Sequence, residues 1–134
     1  MGYDATLITC TNAKRDHEAP ARLLYDESAY FRKMWAWAES RNGPTYILSA
    51  KHGLLDPSEP VAPYDARGLT ETQAETIAAT LADRGVGRVY VCAGCDYLDP
   101  LTPALEGVGI DVVDPFGGLR IGDRMSKLDT LADD

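Results

Sequence analysis

Lysine is scarce in this chain. It occurs only at positions 14, 33, 51 and 127, against 21 acidic residues and a net charge of −8. That balance excludes a broad basic face for duplex DNA, because non-specific binding depends on many Lys and Arg side chains displacing counterions. It leaves room for a local basic patch. A lysine-poor, Asp-rich chain also suits a salt-adapted, halophilic source, where high net charge keeps proteins soluble. Long apolar runs are missing too. None approaches the roughly 18 residues of a membrane span, and no basic, apolar leader opens the chain. The expectation is a cytoplasmic protein with no membrane partner. Cysteine is limited to Cys10, Cys92 and Cys95. An odd set of this kind does not make a disulfide framework. Cys92-x-x-Cys95 is half a zinc motif, which Cys10 and His52 would have to complete. A second Cys pair is missing, so small, half-buried thiols at a sheet edge are the reading preferred, and neither a metal nor another cofactor is expected. There is no repeat at solenoid spacing.

What is present is an alternation of strand and helix patterns. The 134 residues suffice for one domain with its own core, expected over 1–134 with 129–134 as an acidic, frayed tail. Strand-type runs stand at 5–9, 46–48, 88–91 and 109–113. Between the first two, Phe31, Met34, Trp35 and Ala38 recur at helical spacing from about Ser28 to Ser40. Gly43 and Pro44 then stop the helix. Thr70 and Gln73 make a capping-box pattern ahead of a helix to Arg84, with Ala74, Ile77, Ala78 and Leu81 on one face. Asp96 to Leu105 reads as a short helix broken by Pro100 and Pro103. Pro57, Pro60 and Pro63 predict an extended, non-helical connection after Lys51. The alternation predicts a Rossmann-like three-layer α/β sandwich on a mainly parallel four-stranded sheet of order 2-1-3-4.

Each strand run ends in small or polar residues. In a parallel sheet these clusters share one rim, which is where open α/β sheets bind ligands. Cys10, Thr11, Asn12, Lys14 and Arg15 follow the first run. Ser49 and Gly53 follow the second, and Gly94 and Tyr97 the third. Gly117 and Gly118 precede a loop and a helix expected to start near Ile121 or Gly122, a setting that favours anions and makes Gly118 and Gly122 ligand-binding candidates. Lys14, Arg15 and Lys51 suit a phosphate, with the Lys51 stem buried and its ammonium in the cleft. Tyr64 and Tyr97 suit stacking on a base. Asp65 suits a general base or nucleophile, with Lys51 and His52 as further catalytic candidates. Asp65 also suits an ordinary turn, and Lys51 and His52 a solvated junction.

Several of these stretches resemble one family. Ile47-Leu48-Ser49-Ala50-Lys51-His52-Gly53-Leu54-Leu55-Asp56-Pro57 is followed by Pro63-Tyr64-Asp65. With Cys10-Thr11-Asn12-Ala13-Lys14, Ala93-Gly94-Cys95-Asp96-Tyr97 and Gly118-Leu119-Arg120-Ile121-Gly122, it resembles an uncharacterised family of bacteria, archaea and phages. The likeness spans nearly the whole chain. The second strand and its loop are also distantly similar to the YaaA peroxide-stress family and to an accessory domain of archaeosine synthase. Those relatives imply a link to nucleic acid or nucleobase modification. The expectation is therefore a domain that binds a nucleotide, nucleoside or nucleobase. Cleavage or exchange at an N-glycosidic bond, as a hydrolase or transferase, is its first candidate reaction. The alternative is a non-catalytic nucleic-acid-binding or regulatory protein.

Overall fold

The strand Tyr3–Thr9 (β1) has no charge after Asp4, and its last five residues are buried. A run hidden on both faces belongs in the middle of a sheet. The computed structural model places it there. It describes residues 3–9, 17–24, 28–41, 43–62, 68–116 and 123–128, the Cys95 side chain excepted. After β1 come β2 (Ala19–Pro20), α1 (Ala21–Leu24), α2 (Ala29–Glu39), β3 (Thr45–Ser49), β4 (Gly53–Leu55) and β5 (Pro60–Val61). Then follow α3 (Glu71–Asp83), β6 (Val86–Cys92), α4 (Cys95–Gly107) and β7 (Asp111–Val113). Residues 123–128 are also helical.

One sheet has five strands in the order β4-β3-β1-β6-β7, and β2 pairs with β5 in a second, two-stranded sheet. β1 runs parallel to β3, with Ile8 opposite Ile47, and parallel to β6, with Ile8 opposite Cys92. β7 is parallel to β6. β4 is antiparallel to β3, and β5 is antiparallel to β2. The expected Rossmann-like sandwich on a mainly parallel four-stranded sheet is therefore not this fold. The sheet is mixed and has a fifth strand, and a separate antiparallel pair stands beside it.

The reason lies in Ser49 to Gly53. That stretch turns back on itself instead of leaving the sheet. The Ser49 hydroxyl accepts the amides of Lys51, at 3.3 Å, and His52, at 3.0 Å. Gly53 takes a φ of +77°, which only glycine adopts without strain. Leu54 and Leu55 then pair with Leu48 and Ile47. A three-residue hairpin loop closed by a left-handed glycine has this form. The connection expected to be simply extended thus carries β4 and β5. Pro60 is tolerated because β5 is a short edge strand.

Local signals set the two long amphipathic helices. Ser28 caps α2 by accepting the Phe31 amide at 3.2 Å. Phe31, Met34, Trp37 and Ala38 are buried. Trp37 is the fully packed tryptophan, edge-on to Phe116 at 5.0 Å, whereas Trp35 is only half-buried. On α3 the capping box of Thr70 and Gln73 is complete. Gln73 also donates Nε2 to the Ala50 carbonyl at 2.8 Å, which straps the hairpin turn to the helix. Thr70→Ala should cost about 1 kcal/mol, measured as a lower urea midpoint at unchanged slope. Gln73→Ala should cost more, because it removes the reciprocal half of the capping box, Thr70 N–H to Gln73 Oε1, together with the strap.

α4 corrects another expectation. It continues through Pro100 and Pro103 to Gly107. Leu101 and Leu105 are fully buried, and their packing outweighs the lost backbone bonds. α3 and α4 pack on each other, while α2 packs on β1. The chain leaves β1 for β3 in one direction, then crosses back beyond β1 to β6 and β7. Its direction of travel reverses between β1 and β6, and open α/β sheets form a crevice outside the carboxyl ends of such strands. Among the described residues, no helix is long and apolar enough to cross a membrane.

Candidate anion site at the carboxyl edge

β6 ends at Cys92. Ala93 is fully buried, and Gly94 begins α4 as its N-cap. Gly94 has φ −80° and ψ 173°, a backbone that any residue can adopt. Its value is space. A Cβ there would stand 3.1 Å from Asp96 Oδ1 and 3.9 Å from Arg124 Nη1. Lacking a side chain, Gly94 also leaves the first turn of α4 without a side-chain cap. Helix N-termini in that condition attract anions through their free N–H groups.

Arg124 faces this gap from the 123–128 segment, and it is only 8% exposed. Its Nη1 donates to the Tyr30 hydroxyl at 3.4 Å. Its buried Nε finds no acceptor among the described residues. Among the described residues Arg124 makes no salt bridge. Asp114 is near enough for its charge to act on Arg124, but its carboxylate accepts the Phe116 amide at 3.1 Å. A buried charge without a paired counter-charge is costly to the fold.

Two neutral groups complete the cluster. The Tyr30 hydroxyl lies 3.5 Å from Cys92 Sγ. Burial, then the proximity of Cys92, pushes the Tyr30 phenol above its ordinary range. Burial pushes the Cys92 thiol up to about 11, against smaller opposing effects of Tyr30 and Arg124. For Arg124, burial works against the charge, but the Tyr30 hydrogen bond and nearby negative groups outweigh it and raise its pKa. At neutral pH Arg124 therefore meets two uncharged partners, the Tyr30 hydroxyl and the Cys92 thiol. The Asp114 charge acts on it and the Asp96 carboxylate stands at the edge of the gap, but neither is in an ion pair with it among the described residues.

The thiol has a measurable consequence. An unfolded thiol loses its proton near 9.0, and folded Cys92 keeps its proton to about 11. In that window the native state binds more protons than the unfolded chain, so this contribution to stability falls as pH rises. Urea midpoints should drop between pH 9 and about 11, and Cys92→Ala should flatten the drop. An identical pH profile in the variant would contradict the assignment.

The expected site residues fall into separate places. Ser49 is fully buried and holds the hairpin turn, and Gly53 closes it. Lys51 and His52 are exposed on that turn. They line a groove of about 260 Å³ against α3 with Thr72, Thr76 and Arg84. The Lys51 stem is thus not buried as expected, because the turn carries it outward. Gly94 and Tyr97 sit together at the start of α4, where the Tyr97 amide donates to the Gly94 carbonyl. Tyr97 is 7% exposed, more a packed ring than an open stacking platform. The Leu69 amide donates to the Asp96 carbonyl at 3.1 Å, tying the approach to α3 to the same turn.

Cys10, Thr11, Asn12, Lys14, Arg15, Tyr64, Asp65, Gly118 and Gly122 lie outside the described residues. Of the possible zinc set, Cys92 faces Tyr30, while Cys10 and the Cys95 side chain also lie outside them. Among the described residues no group of three or more metal-ligating side chains is assembled. Sequence reasoning missed both Arg124 and the part played by the Tyr30 hydroxyl. The available signal for Arg124 was its position two residues beyond the Gly-Leu-x-Ile-Gly stretch.

A family model, described as a family of unknown function, DUF6884, matches residues 5–130. The chain belongs to DUF6884. No curated protein and no solved structure matches this DUF6884 chain. The expected uncharacterised family is thus met at that level. In this DUF6884 member, Ser49 to Gly53 builds a hairpin, and Ala93-Gly94 opens the start of α4 beside Arg124.

Proposed function

We propose that this DUF6884 domain binds a phosphate-bearing nucleotide at the carboxyl edge of β1 and β6. The phosphate is held between Arg124 and the first turn of α4. One observation carries the reading: Arg124 is 8% exposed, has an Nε without an acceptor among the described residues, and stands across Gly94 from a helix N-terminus without a side-chain cap. A guanidinium fork matches a phosphate in geometry and charge. The likeness to the YaaA family and to the archaeosine synthase accessory domain supports a nucleotide over another phosphate ester. It also makes N-glycosidic cleavage or exchange the reaction to assay first, with Asp65 as the acid to replace.

Calorimetric titration with nucleoside monophosphates and the matching nucleosides tests the proposal. The monophosphates should bind at least about tenfold more tightly, as expected for charge-assisted hydrogen bonds. Equal affinities, or none, would contradict it. Gly94→Ala keeps an allowed backbone but puts a methyl group into the gap. It should fold normally and weaken monophosphate binding several-fold, with little effect on nucleoside binding.

A further inference from the structure

An arginine side chain is long and has many rotamers, and a buried guanidinium without an ion pair is drawn toward water. Something must therefore hold Arg124 over Gly94. Among the described residues its single hydrogen bond is to the Tyr30 hydroxyl. Tyr30 lies in the first turn of α2, behind the Ser28 cap, with its hydroxyl against Cys92 Sγ. Three distant parts of the chain thus meet: β6, α2 and the 123–128 segment.

We infer that Tyr30 is the positioning residue of this site: it fixes the Arg124 guanidinium over Gly94 without neutralising it. The inference rests on the phosphate reading above. A carboxylate in the place of Tyr30 would hold Arg124 more tightly, but it would also supply the counter-charge that a phosphate must otherwise provide. A phenol is a hydrogen-bond acceptor with no charge at neutral pH. It occupies one Nη1 donor and leaves Nε and the remaining donors for another acceptor. Cys92 seats the phenol in turn, again without charge.

Tyr30→Phe separates the two ideas. In the unaltered protein, the Arg124 Nε–H should give a resolved, slowly exchanging NMR signal, assigned by its loss in Arg124→Met. In Tyr30→Phe that signal should collapse into the exposed-arginine envelope. Nucleoside monophosphate affinity should fall about tenfold, the worth of one hydrogen bond to a charged group. Nucleoside affinity should not change. An unchanged Nε signal and unchanged affinity in Tyr30→Phe would overturn the positioning role. If Arg124→Met still abolished monophosphate binding, the phosphate reading would stand without it. Failure of the unaltered protein to bind any monophosphate would overturn both. Should Tyr30→Phe not fold, Cys92→Ala removes the seat of Tyr30 instead. It should give an intermediate loss of signal and affinity, and no loss of either would again overturn the role.

Discussion

Gly43→Ala should lower the melting temperature by roughly 10 °C, the equivalent of about 3 kcal/mol in a domain of this size. Gly43 lies between α2 and β3 with φ +94°. An L-residue held in that region costs about 1–3 kcal/mol. Here the strain is compounded, because a Cβ at Gly43 would overlap the carbonyl oxygen of Asp4. That atom is backbone of β1 and cannot rotate aside. The same junction is fixed by the Thr6 amide, which donates to the Pro44 carbonyl at 2.9 Å. Relief therefore requires β1 to move against β3 in the middle of the sheet. Differential scanning calorimetry reads the effect, and a shift below about 2 °C would mean that the junction yields easily.

Arg124→Met should act in the opposite direction on stability while removing binding. Arg124 is buried without an ion pair among the described residues. Replacing a buried ionic group by an apolar side chain of similar length is often neutral or stabilising. The melting temperature should hold or rise. Monophosphate affinity should fall at least about tenfold, because charge-assisted bonds are the strong ones. Stability withheld for the sake of a ligand is the pattern expected of a functional site. A variant that unfolds would instead show that Arg124 has a structural role.

The parts of this fold legible in sequence were those set by neighbours in the chain. The cap on α3 is local to Thr70 and Gln73, and its buried face repeats from Ala74 to Leu81. α2 announces itself through Ser28 and the spacing of Phe31, Met34 and Ala38. β4 did not, since it is three residues long and begins in a turn set by one hydroxyl and one glycine. Without that hairpin the sheet reads as parallel throughout. α4 was cut short in expectation because Pro100 and Pro103 argue locally against a helix, whereas Leu101, Leu105 and Ile110 bury it through contacts a sequence window does not contain. The site divides in the same way. Gly94 stands out after a strand, but the hydrogen-bond partner of Arg124 is Tyr30, 94 residues away.

The most direct test follows backbone amides and the Arg124 Nε–H by NMR during titration with a nucleoside monophosphate. The prediction is saturable shifts confined to the Arg124 Nε–H, the amides of Gly94, Cys95 and Asp96, and the adjoining ends of β1 and β6. The matching nucleoside should leave the Arg124 signal in place. Shifts centred on the Lys51–His52 turn, with Arg124 and Gly94 unmoved, would contradict the assignment of the phosphate to this edge.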